Sequence, residues 1–179
     1  MIDPQRLAVY ANDHLAGATA ALELLGRLAS APDAPASDVF ARLYEDVLED
    51  RRQLEALLAR IGERASGVKQ AAGWLAEKLA RLKLGAGAGD DALERFEALE
   101  ILALGILGKR SLWRALGVVA ATDPALAALD FARLEARADE QYARVERERL
   151  LLAPAALGSE RRAAGAAAAP GPAVGEPTG

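Results

Sequence analysis

The chain has 179 residues, of which 43 are Ala and 29 are Leu, against 15 Val, Ile and Thr together and eight aromatics. Ala and Leu lose least on entering a helix, whereas strands lean on β-branched and aromatic side chains, so all-β and doubly wound α/β folds are excluded. A formal charge of −4, no Cys and a single His (His14) exclude disulfides, cysteine nucleophiles, zinc fingers and any site needing two imidazoles from one chain.

In chain order, Asp3-Pro4 places a capping carboxylate before a proline at the first helical position. The apolar period then runs to Ala29, and Pro32 and Pro35 interrupt it. Ser37 opens a second helix that reaches Ile61 and stops at Gly62. Ser66 opens a shorter helix to Leu84, followed by the hinge Gly85-Ala86-Gly87-Ala88-Gly89. Asp91-Ala92-Leu93-Glu94 has capping-box spacing and starts a helix to Ala120. Thr122-Asp123-Pro124 repeats the opening device for a short turn of helix. Asp130 caps a last long helix that Pro154 is expected to end near Leu152. Residues 153–179 are dominated by Ala, Gly and Pro without an amphipathic period, which predicts a disordered tail after a bundle domain over 1–152.

Four long helices of matched length predict a four-helix bundle. The segment from Gly62 to Asp90 is long enough to cross the bundle, which allows the second and third long helices to run parallel. At 100° per residue the first helix presents Leu7, Ala11, Ala18, Ala21, Leu25 and Leu28, with His14 in the middle of that face. The second presents Val39, Leu43, Val47, Leu54, Leu57 and Ile61 around Asp50. The third aligns Leu93, Phe96, Leu104 and Leu107 with Glu97 and Glu100. The last shows Phe131, Leu134, Ala138, Tyr142 and Val145, with Glu135 and Gln141 at its margins. Burying an unpaired charge costs several kcal/mol, so His14, Asp50, Glu97 and Glu100 are expected to meet each other or water. The first reading is a structural network that fixes helix register, with no cofactor. The second is a metal site, because one imidazole among carboxylates suits iron or manganese.

The run Tyr44-Glu45-Asp46-Val47-Leu48-Glu49-Asp50-Arg51-Arg52-Gln53-Leu54 to Gly62 resembles the acidic second helix of the ferritin-like superfamily, particularly its small bacterial stress-associated members. Asn12-Asp13-His14-Leu15-Ala16-Gly17 and Leu99-Glu100-Ile101-Leu102-Ala103-Leu104-Gly105 are similar to polar motifs of its first and third helices. The resemblance implies a ferritin-like bundle with an added crossover helix. Di-iron members carry Glu-x-x-His on two helices. No such motif occurs here, and Glu97-x-x-Glu100 is the only core-facing fragment with ligand spacing, so a complete di-iron oxidase is not expected.

Lys69, Lys78, Arg81 and Lys83 beside Trp74 read as a solvated basic face. Lys109-Arg110-Ser111-Leu112-Trp113-Arg114 reads as cations complementing a helix C-terminus. The glycine hinge is no phosphate loop, and no nucleophile elbow occurs. The expectation is a non-catalytic, cytoplasmic protein, of bacterial type by its excess of Arg over Lys, acting through a protein partner or as a homo-oligomer. Nucleic acid and membrane are not expected partners.

Overall fold

The computed structural model describes residues 2–30, 37–63, 92–123 and 126–158. Those residues form four α-helices and no strand: α1 (Pro4–Ser30), α2 (Ser37–Arg60), α3 (Ala92–Ala120) and α4 (Phe131–Leu157). The expected helix over 66–84, the glycine hinge, the Asp91 cap and the tail from residue 159 onward lie outside the described residues.

The helix ends follow from local chemistry. Asp3 Oδ1 accepts from the N–H groups of Gln5 and Arg6 at 3.0 and 3.3 Å, satisfying two donors that the first turn of α1 leaves open. Asp130 does the same for α4, accepting from Arg133 N–H at 3.0 Å. At the end of α2, Gly62 takes φ +78°, a left-handed conformation that a Cβ disfavours. Its N–H donates to Ala59 C=O, and Glu63 N–H reaches back to Leu58 C=O at 3.0 Å, the pair of bonds of a Schellman stop.

One expectation about a boundary needs correction. Pro154 does not end the last helix, which continues beyond Leu152 to Leu157. The proline ring has a helical φ and sacrifices only one backbone bond. Leu150 and Leu151, one turn earlier, are exposed, so water can take the carbonyl that Pro154 leaves unpaired. Pro124, in the short turn of helix expected after Thr122-Asp123, lies outside the described residues; on either side of it Leu126 N–H and Leu129 N–H close single turns onto the Asp123 and Leu126 carbonyls. The Asp123 carboxylate accepts from Ile2 N–H at 2.8 Å, tying that residue to the α3–α4 connection.

The core falls into two apolar clusters that fix how the helices run. One joins Leu24, Leu25 and Leu28 of α1 to Phe40, Leu43 and Val47 of α2, Leu99, Leu102 and Ile106 of α3, and Val145 of α4. The other joins Leu7, Ala11 and Leu15 to Leu54, Leu57 and Leu58, to Leu112, Trp113 and Leu116, and to Phe131 and Leu134. The end of α1 thus meets the start of α2, while the starts of α2 and α3 share one cluster and their ends share the other. α2 and α3 run in the same direction, and α1 and α4 run opposite to both. α2 therefore ends, and α3 begins, at opposite ends of the bundle.

Packing is most extensive between α3 and α4 and between α1 and α2. On the outer α3–α4 seam, Arg110 reaches Asp139 at 2.8 Å and Arg114 reaches Glu135 at 2.8 Å. Between α2 and α4 direct packing is thin. That junction is made mostly of polar groups, and it holds the candidate site.

Candidate functional site

The expected phase of α2 agrees with the structure: Leu43, Val47, Leu54 and Leu57 are buried, and so is Asp50, at 3% exposure. Val39 and Ile61 are half-buried at the two ends. A carboxylate in that position needs compensating donors, and three arrive from two other helices. Lys109 Nζ of α3 donates to Asp50 Oδ2 at 2.5 Å. Gln141 Nε2 of α4 donates to the same oxygen at 3.1 Å. Arg137 Nη2, one turn earlier on α4, donates to Oδ1. Lys109 also donates to Gln141 Oε1, which closes a ring of three side chains from three helices. One turn along the α2–α4 seam, Arg144 Nη2 donates to Asp46 Oδ2.

Gln141 is fully buried and Lys109 is 14% exposed, so these bonds form in a medium that strengthens them and that penalises any unpaired member. Burial pushes the Lys109 ammonium below its usual value, and the adjacent Asp50 opposes that shift. Each Asp50 oxygen is occupied. The carboxylate is a fixed anion at the meeting point of α2, α3 and α4, with its acceptor capacity directed at neighbouring helices.

Beside the cluster lies a half-open pocket of about 210 Å³ between α1, α2 and α3. Asp50 and Lys109 contribute to its polar part, and Leu54, Leu102, Ile106 and Leu112 to its apolar wall. His14 lines the pocket from α1. Its ring is half-buried and packs edge-on against Tyr10, with centroids 4.8 Å apart. Burial lowers the His14 pKa, and the neighbouring Asp13 carboxylate acts the other way.

The four sequence-derived candidates therefore separate into two groups. His14 and Asp50 share the pocket wall. Glu97 and Glu100 do not belong to it: both are exposed, and Glu100, 57% exposed, faces Arg149 of α4 at 3.7 Å. Glu100 also sits nine residues before Lys109, roughly 13 Å along the axis at 1.5 Å per residue. The expected core face of α3 is rotated. Leu93 and Leu104 are exposed, and the buried positions are Ala98, Leu99, Leu102, Ala103, Ile106, Leu112, Trp113 and Leu116. Apolar residues surround this helix, so periodicity alone leaves its phase open. Among the described residues, no group of three or more His, Asp or Glu side chains is placed to hold a metal ion.

Three participants were not expected. Lys109 reads as a cation near a helix end and Gln141 as a margin residue, and the sequence pattern does not single out Arg137. The stripe Leu102, Ile106, Trp113 passes through position 109, so a Lys there signals a buried partner once the phase is known. Gln141 similarly lies between Ala138 and Val145, both buried.

Comparison with known proteins finds no matching family model, curated protein or solved structure.

Proposed function

We propose that this chain is a non-catalytic helical-bundle protein that works through contacts with other proteins, and that its buried polar groups serve architecture. The observation that carries this reading is the span of the cluster. Both oxygens of Asp50 accept from side chains of α3 and α4, so the carboxylate joins α2 to both of those helices. Large apolar side chains left open on the helices, Val118, Leu151 and Leu157 among them, support a role in protein contacts. Among the described residues no helix is long and apolar enough to cross a membrane.

The ferritin-like reading of the fold rests on helix direction. α1 opposes α2, α2 parallels α3, and α3 opposes α4, the order that a long second connection produces in such bundles. The metal-binding reading with iron or manganese rests on His14 and Asp50 facing one pocket, and Glu97 and Glu100 give it no support by position.

Elemental analysis of untagged wild-type protein beside His14→Ala and Glu100→Ala distinguishes the two readings. The expected result is the same sub-stoichiometric iron and manganese in all three. Near-stoichiometric metal in the wild type that is lost in His14→Ala overturns the architectural reading.

A further inference from the structure

Among the described helices, α1 packs chiefly on α2 and α3, and α4 on α3 and α2. Two neighbours bury one stripe of a helix, and α4 behaves that way. Its buried residues Phe131, Leu134, Ala138, Gln141 and Val145 fall within an arc of about 80° at 100° per residue. α1 does not. Leu7, Ala11, Leu15, Leu22 and Leu25 make its core stripe, yet Ala16, Ala20 and Leu24 are buried as well, at 2, 7 and 2% exposure. That i, i+4, i+8 row is centred roughly 180° from the core stripe. Val9, on the same side of α1, is 65% exposed, and Arg27 beyond the row is exposed too. Burial of the outer side is therefore local, and it needs a third body besides α2 and α3.

Chain geometry says which one. Residues 64–91 join the end of α2 to the start of α3, which lie at opposite ends of the bundle, about 36 Å apart by the length of α2. That path runs in the direction of α1, and a helix over 66–84 spans about 28 Å of it. The segment repeats apolar residues at Val68, Ala72, Leu75, Leu79 and Leu82, alternately four and three apart, which makes one helical stripe. Charge agrees. Ser66–Leu84 carries Lys69, Lys78, Arg81 and Lys83 against Glu77 alone, and exposed Asp13 and Glu23 flank the row on α1. The other connecting stretches fit less well. Residues 31–36 are taken up in joining α1 to α2, and residues 159–179 hold Val174 as their one large aliphatic side chain.

We propose that Ala16, Ala20 and Leu24 form a docking face for Ser66–Leu84 of the same chain, which lies parallel to α1 with its Val68-to-Leu82 stripe on that face. The assignment rests on helix direction and burial, as the bundle reading does, and not on the Asp50 cluster, so either can fail without the other.

The chain has no Cys, so introduced thiols report alone. In the full chain, Ala20→Cys should react with a maleimide at least tenfold more slowly than Val9→Cys on the same side of α1. Equal rates overturn the proposal. Adding Leu75→Asp and Leu79→Asp should bring the Ala20→Cys rate to within threefold of that of Val9→Cys, and unchanged protection overturns it. A cross-link test does not depend on that variant folding. Ala20→Cys is combined in turn with Ala72→Cys, Leu75→Cys and Leu79→Cys and oxidised with copper phenanthroline. At least one pair should close a disulfide within a single chain in more than half of the molecules, read by non-reducing electrophoresis and peptide mass spectrometry. Closure in none of the three overturns the proposal. A bridge between two chains assigns the face to a second copy, and efficient closure of Ala20→Cys with Ala166→Cys in place of the three assigns it to the C-terminal stretch. Either result overturns it.

Discussion

Asp50 shows how much one buried charge can demand of its surroundings. Its two oxygens draw in Lys109, Gln141 and Arg137 from two other helices. Removing one partner from such a group leaves the others uncompensated, at a cost of about 3–5 kcal/mol. Lys109→Met and Asp50→Ala should each lose stability on that scale in urea unfolding, with a losses-below-1 kcal/mol result counting against the arrangement. His14 supplies a second residue-level prediction, since it is the only histidine. Its folded pKa lies below the ordinary value of 6.5 because burial disfavours the imidazolium. The unfolded chain therefore binds the proton first as pH falls through that value, and stability declines until the folded pKa is passed. Wild type should lose more stability than His14→Gln between pH 7.5 and pH 5.5. Equal losses in the two proteins would contradict the assignment.

For the helices, the caps and stops carry the local instructions. Asp130→Ala removes the acceptor for Arg133 N–H and should cost about 1 kcal/mol, read as a lower urea midpoint with an unchanged slope. A midpoint equal to the wild type would show that water caps α4 equally well. The legible parts of the fold are those with such local causes: the openings at Asp3 and Asp130, the stop at Gly62 and the buried face of α2. α2 alternates charged and apolar residues cleanly, so Asp50 stands out within its stripe. α3 is apolar on more than one face, and its phase is decided by which face finds α1 and α4. The leucine spacing points Glu97 and Glu100 inward, yet Leu93 and Leu104 of that same stripe are exposed. The same uncertainty hid Lys109, whose burial follows only from the correct phase. Pro154 is an example of the opposite kind, a strong local signal overruled because the surrounding turn is open to water.

Across the whole molecule, packing and polar bonding divide the labour. α1 with α2, and α3 with α4, are joined by broad apolar contact, whereas the α2–α4 junction relies on Asp46–Arg144 and on the Asp50 cluster. Ala- and Leu-rich faces can slide by a turn with little loss, because one small apolar residue replaces another. A charged group that must meet three donors cannot slide. The cluster therefore specifies how the two helix pairs are aligned, which is the best-attested use of buried polar groups. Aliphatic replacement of the pair together, Asp50→Leu with Lys109→Met, should recover a large part of the stability lost by either change alone, although Arg137 and Gln141 keep part of the penalty. The central claim is thus a coupling, and a double-mutant cycle in urea on wild type, Asp50→Leu, Lys109→Met and the double variant measures it most directly. The account predicts a coupling of at least about 1.5 kcal/mol between the two positions. Additive losses, with a coupling below about 0.5 kcal/mol, would contradict it.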